Sequence, residues 1–180
     1  IKSGVVGVLP EKLQKMLDIA YNNSERLITI INDILDMEKI SSGKMEFKME
    51  TIDLSELVEE AIKANEGYAQ QHDVKLICKN KIPQVHDHGD TQRLLQVFAN
   101  LISNAVKYSS KNDVVKLSAQ IKNNVVRVEV KDSGPGIPQN FRDKIFKKFS
   151  QADSADTRKK GGTGLGLSIS KEIIEKHGGT

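Results

Sequence analysis

Tryptophan is absent from this 180-residue chain, aromatic residues make up 4%, and there is a single cysteine. A lone cysteine excludes an internal disulfide, and in the strand-like run around it Cys78 reads as a small buried hydrophobe. No run approaches the roughly eighteen apolar residues of a membrane span, and no signal peptide is recognisable at the N-terminus. Neither sign of charge dominates, since 27 Lys and Arg are spread evenly among 24 Asp and Glu for a net +3. Nucleic acid and membrane surfaces are therefore not expected partners, and the chain reads as cytoplasmic and not membrane-embedded. With so few aromatics the core must be mostly aliphatic, as in mixed α/β or helical proteins. The length suffices for one full domain plus an extra element. The abrupt start at Ile1 to Gly4 and the abrupt end at Gly178-Gly179-Thr180 read as those of a fragment of something longer.

What the chain does have is strong periodicity. Residues 1 to 9 look like the tail of a helix, and Pro10-Glu11 is a favourable restart. Leu13, Leu17, Ala20, Ser24, Leu27, Ile31 and Ile34 then alternate spacings of four and three. Tyr21, Ile28 and Leu35 widen this heptad seam into the stripe of a helical bundle. The stub before it cannot cover so wide a face, so homodimerisation through residues 1 to 40 is expected, with packing on its own domain as the alternative. Ser41-Ser42-Gly43 ends the helix with turn formers and a glycine for the C-cap. Met45 to Ile52 alternates as a half-buried strand does, Asp53 or Ser55 can cap a helix running towards His72, and Val74 to Cys78 alternates again. Pro83 to Gly89 reads as a loop. Val114 to Ile121 and Val125 to Val130 form an antiparallel hairpin around Asn123-Asn124, and Leu165 to His177 is helical. Strands and helices interleave without a regular βαβ repeat, which points to an α+β fold with a mixed sheet and helices on one face.

The helix at Asp90 to Ser110 carries two stripes. Leu94, Phe98, Leu101 and Ala105 recur as a core face, while Asn100, Asn104, Lys107 and Tyr108 recur at spacings of four and three on another. Asparagine competes for backbone hydrogen bonds and is a mediocre helix former, so two of them mid-helix suggest a binding role; a buried polar patch is the alternative. Two glycine clusters follow. Asp132-Ser133-Gly134-Pro135-Gly136-Ile137 closes a strand, where Gly134 and Gly136 permit close backbone approach or positive φ and Asp132 can act as a fixed acceptor, although a plain turn would use the same residues. Gly161-Gly162-Thr163-Gly164-Leu165-Gly166-Leu167 runs directly into a helix, whose unpaired amides and positive dipole end suit a phosphate. No lysine and Ser/Thr pair follows, which excludes a Walker A loop, and the spacing is not that of a dinucleotide fingerprint. Between the clusters lies a long connection with Arg142, Lys144, Lys147, Lys148, Arg158, Lys159 and Lys160, and with Phe146 and Phe149 at helical spacing. It reads either as a lid over phosphates or as a solvated loop pinned by its phenylalanines.

These strings resemble the motifs of sensor histidine kinases. Gln96 to Ser109 (QVFANLISNAVKYS) resembles the N-box, Asp132 to Ile137 the first glycine box, Ile145 to Phe149 (IFKKF) the F-box, and Gly161 to Ile169 (GGTGLGLSI) the second glycine box, all in the family's order. Residues 11 to 40 are similar to the second helix of the dimerisation and histidine phosphotransfer region, and Phe149 to Asp153 (FSQAD) looks most like the hybrid kinases. The resemblance implies a Bergerat-type α/β sandwich at residues 44–180, C-terminally truncated before a usual last strand, preceded by a partial dimerisation region at residues 1–43. It implies ATP and Mg²⁺ as ligands, with Asn104 on the metal and Asn100 assisting at the phosphates or metal. Lys107 would contact phosphate, Tyr108 would lie against the nucleotide, and Asp132 would accept from the adenine amino group while Gly136 gives the base room. Gly134, Ile137, Phe149, Gly162, Thr163, Gly164, Leu165 and Gly166 would complete the cradle and anchor the lid.

The same resemblance exposes departures. The family's phosphoacceptor histidine, followed by an acidic residue and then proline, has no counterpart, since His72, His86, His88 and His177 all lack that context. The chain is therefore not expected to autophosphorylate by itself. It would act on a histidine outside it, for relay to a response-regulator receiver domain. His86 and His88 flank Asp87 but read as a solvated pair, and His177 as a helix-end residue. Gln151 stands where some family members carry a basic residue, so which of Arg158, Lys159 and Lys160 meets the γ-phosphate stays open. An ATP-gated switch like Hsp90 or MutL, without kinase chemistry, is the rival reading; an anti-sigma type serine kinase is a weaker one, because that type lacks the long helix.

Overall fold

The computed structural model describes residues 9–80, 85–123, 125–151 and 162–180. Helix α1 (Glu11–Ser41) contains neither proline nor glycine and follows Pro10, whose carbonyl accepts from the N–H groups of Leu13 and Gln14. It stops through a Schellman motif. Gly43 adopts φ +67°, its N–H donates to the Ile40 carbonyl at 3.0 Å, and the Lys44 N–H donates to the Lys39 carbonyl at 2.8 Å. The helical tail expected at residues 1 to 9 lies almost wholly outside the described residues.

Strand β1 (Glu50–Asp53) leads into α2 (Leu54–Gln71), β2 (Lys75–Cys78), β3 (His86–Gly89), α3 (Thr91–Tyr108), β4 (Val114–Lys122), β5 (Val125–Lys131), a 3₁₀ turn at Gln139–Lys144 and α4 (Gly166–Lys176). Strands β2, β4 and β5 form a mixed sheet, with β2 parallel and β5 antiparallel to the central β4. Alternation places Val115, Leu117 and Ala119 in the core while Lys116 and Gln120 face solvent, so helices cover one face. Asn123 takes φ +52° at the hairpin turn.

Three expectations are corrected. Met45 to Ile52 is strand only from Glu50, because the Lys48 N–H donates to the Asp90 carboxylate at 2.8 Å instead of joining a ladder, and Phe47 packs beside Met37 and Ile169. The loop expected at Pro83 to Gly89 contains β3, antiparallel to β1 with Glu50 opposite Gly89 and Asp53 opposite His86. Its residues His-Asp-His-Gly have no apolar alternation, so the backbone pairing leaves no pattern to read. Cys78 is exposed, as the last residue of an edge strand, and its thiol donates to the Asn80 carbonyl at 2.9 Å.

Two cores meet at α3. Phe98, Ile102, Ala105 and Val106 pack with Leu57, Val58 and Ala61 of α2 and with Val115 and Leu117 of β4. Val97, with Leu101 beside it, packs with Leu165, Ile169 and Ile173 of the α4 segment and with Met37 of α1. Asp90 caps α3 by accepting from the Arg93 N–H at 3.0 Å. Burial opposes ionisation of Asp90, but the N–H groups of Arg93 and Lys48 and the Arg93 charge outweigh it and hold the carboxyl below its ordinary 3.8. Asp90→Ala is expected to lower the unfolding free energy at pH 7 by about 1–3 kcal/mol in urea melts. Because the folded carboxyl has the lower pKa, its contribution is complete above 3.8 and fades as pH falls below that value, so the gap between wild type and variant should narrow in acid.

Candidate functional site

The polar seam of α3 faces the two glycine boxes. Asn100, Asn104, Lys107 and Tyr108 are all half-buried. The Asn100 amide donates to the Gly166 carbonyl at 3.1 Å and to the Ser170 hydroxyl at 3.2 Å, tying α3 to the start of α4. A Cβ on Gly166 would lie 3.2 Å from the Asn100 carboxamide, so the close approach favours glycine. Asn104 lies one turn further along the same face. Lys107 then brings its ammonium to 3.0 Å from where a Cβ on Gly162 would sit, and to 5.2 Å from the Tyr108 ring centroid.

The first glycine box leaves the end of β5 and presses on the last turn of α3. The Gly134 N–H donates to Asp132 Oδ1 at 2.8 Å, a short turn that pins the carboxylate; among the described residues Oδ2 has no partner and is available to a ligand. A Cβ on Gly134 would meet the Tyr108 carbonyl oxygen at 2.7 Å, so no larger residue fits without moving backbone. Gly136 differs, since open space surrounds it and its φ of +74° alone selects glycine. Ile137 is exposed beside it.

The second box closes the site from the other side. Gly164 has φ +71°, and a Cβ there would stand 2.8 Å from the Phe149 carbonyl carbon and the Ser150 carbonyl oxygen. The Gln151 amide donates to the Gly162 carbonyl at 2.8 Å, so residues 149–151 and 162–164 are held together. Helix α4 starts after Leu165 with no side-chain cap, which leaves its first N–H groups as an anion site. Phe149 does not pin the F-box as its spacing suggested, because φ +59° takes it out of a helix and leaves it 67% exposed. Arg158, Lys159 and Lys160 lie outside the described residues.

Asn100, Lys107, Tyr108, Asp132, Gly134 and Gly162 to Gly166 thus converge. Amide oxygens are hard ligands that suit a magnesium ion completing its shell on phosphates. Among the described residues no group of three or more His, Cys, Asp or Glu could hold a metal by itself, and His86 and His88 are exposed on β3.

Sequence reasoning missed a second stripe on α1. Asp33, Asp36, Met37 and Ile40, at helical spacing, face the body of the domain. Arg93 Nη1 donates to Asp36 Oδ1 at 3.2 Å, the Gln96 amide donates to Asp36 Oδ2 at 2.7 Å, and the Thr163 hydroxyl donates to Asp33 Oδ2 at 2.8 Å. His177 is also more than a helix end. The Asp90 N–H donates to its Nε2 at 2.9 Å, so Nδ1 carries the proton given to the Ile173 carbonyl at 2.7 Å.

A one-sided sandwich with a phosphate cradle against a polar helix defines a nucleotide-binding domain. The chain belongs to the histidine kinase-, DNA gyrase B-, and HSP90-like ATPase family, whose model matches residues 89–180. It is similar to the sensor histidine kinase WalK of Bacillus subtilis, 36% identical over 92% of this chain and 27% of the relative. It is also 33% identical, over 96% of this chain and 23% of the relative, to the circadian input-output histidine kinase CikA of Synechococcus elongatus. The chain therefore spans about a quarter of the length of these curated relatives. Among solved structures, the Acinetobacter baumannii histidine kinase AdeS superposes with TM-score 0.70 at 26% identity, covering 96% of this chain and 79% of that one. The histidine kinase ThkA in complex with the response regulator protein TrrA gives TM-score 0.67 at 30% identity, covering 96% and 47% respectively.

Two glycine variants separate crowding from conformation. Gly136→Ala, with open space, is expected to cost about 1–2 kcal/mol from φ alone. Gly164→Ala adds a collision with the Phe149 and Ser150 backbone and is expected to lower the unfolding free energy by more, as urea melts of the two variants would show.

Proposed function

We propose that the chain is the ATP-binding catalytic part of a two-component sensor histidine kinase. The supporting observation is the meeting of the α3 seam with both glycine boxes, through Asn100 with Gly166, Lys107 with Gly162, and Tyr108 with Gly134. Asp132 Oδ2 accepts from the adenine amino group, and Gly136 gives the base room. Lys107 and the first N–H groups of α4 hold phosphate oxygens, and Phe149 and Ile137 flank the nucleotide. Asn104, with Asn100 assisting, supplies amide oxygen to Mg²⁺, which when bound neutralises phosphate charge. The chain's own contribution is positioning and the exclusion of water, which is what phosphoryl transfer chiefly requires.

In this reading residues 1–43 belong to a dimerisation region and residues 44–180 to the catalytic domain. The exposed apolar residues Leu13, Met16, Leu27, Ile28, Ile31 and Ile34 of α1 are covered in a homodimer. The γ-phosphoryl group passes to a histidine outside residues 1–180 and then to an aspartate of a response-regulator receiver domain. The site acts in the cytoplasm; no helix among the described residues is long and apolar enough to cross a membrane. Asn104→Ala is expected to remove the gain in ATP affinity that Mg²⁺ provides and to bring phosphorylation of a supplied histidine-bearing dimerisation domain to background. Unchanged phosphotransfer in a radiolabel assay would sink the role of Asn104.

A further inference from the structure

We propose that Asp33 is a positioning residue that presents an internal anion to the second glycine box, so that docking of α1 and binding of nucleotide phosphate oppose one another. Asp33 Oδ2 accepts from the Thr163 hydroxyl at 2.8 Å, and Thr163 Oγ1 in turn accepts from the Leu165 N–H at 3.1 Å. Leu165 is the residue from which α4 starts uncapped. A hydroxyl thus links a carboxylate to the positive end of a helix, while the Lys107 ammonium stands at Gly162 in the same box. Amides, dipole and ammonium are the components of an anion site, and in this arrangement α1 supplies the anion.

The two acids of the docking stripe differ in their company. Asp36 is bonded to the Arg93 guanidinium and the Gln96 amide, so its charge is matched. Among the described residues Asp33 has no lysine or arginine partner. Burial raises its carboxyl above the ordinary 3.8, the Thr163 hydrogen bond works the other way, and the Asp36 charge adds to the rise. A carboxylate held in this way is a poor neighbour for a polyphosphate. Removing either anion from the box favours the other, and linkage makes the effect reciprocal: whatever factor docked α1 takes from phosphate affinity, bound phosphate takes from α1 docking. Met37 and Ile40, which bury the last turns of α1 against α4, would then be released as the box fills.

The inference rests on the second glycine box holding nucleotide phosphate. Asp33→Asn keeps an oxygen that accepts from Thr163 and removes only the charge, so the fold is expected to persist; Asp33→Ser gives a second variant without the charge. Calorimetric titration of ATP and of adenosine into the wild-type chain and both variants should show ATP binding tightened roughly 5-fold or more, with adenosine unchanged. Amide hydrogen exchange at residues 33–41 of the wild type should quicken when a non-hydrolysable ATP analogue is added with Mg²⁺. Equal or weaker ATP binding by both variants, or adenosine affinity moving in step with ATP, would overturn the role of Asp33 while leaving the nucleotide site standing. Loss of ATP binding in the wild type itself would remove the nucleotide reading, and this proposal with it.

Discussion

Helix α3 is the constraint on which everything else in the domain depends, because it is buried on two sides and polar on a third. Phe98, Ile102 and Val106 close the core under the sheet, and Val97 and Leu101 close the core beneath α4. A helix clamped in two cores has no rotational freedom left. Asn100, Asn104, Lys107 and Tyr108 are therefore held as a rigid wall, and a wall of that kind can read a ligand. Both ends of the helix are tied as well, one by the Asp90 cap with its bonds to Lys48 and His177, the other by the contact of Gly134 with the Tyr108 carbonyl.

The glycines serve this wall by letting backbone come close to it. Gly134 and Gly166 sit where a side chain would strike α3, and Gly164 sits where one would strike the end of the F-box. The result is a cradle made of main chain with few side chains of its own, which suits phosphate, an anion that backbone N–H groups bind well. Helix α1 meets this cradle with a polar stripe and leaves its apolar stripe exposed. One helix thus offers the domain a set of hydrogen bonds, while its apolar residues such as Leu27, Ile31 and Ile34 stay exposed.

Much of this was legible beforehand, for a local reason. The heptad of α1, the alternation of β4 and β5, the Asp53 cap and the Gly43 stop depend on residues within a few positions of one another. The α3 seam and both glycine boxes were legible as a polar stripe and two glycine turns, and what they would bind, beyond a phosphate at the second box, was implied only by the resemblance to sensor histidine kinases. What escaped was non-local. Strand β3 is held by pairing with β1, whose partner residues stand 33 to 39 positions away, and has no side-chain signature. Cys78 followed its alternation, but β2 turned out to be an edge strand. The F-box phenylalanines had helical spacing, yet residues 145–149 form turns and Phe149 takes φ +59°.

By itself the sequence determined the order and kind of most elements, the apolar face of α1, the polar stripe of α3 and the two glycine clusters, since propensity, periodicity and glycine chemistry act over short stretches. Only the tertiary structure decided how those parts meet. The partnerships of Asn100 with Gly166, of Asp90 with His177 and of Asp33 with Thr163 join positions 66, 87 and 130 residues apart. No local rule selects such pairs, because each exists only once both cores have packed and brought the two backbones within hydrogen-bonding reach.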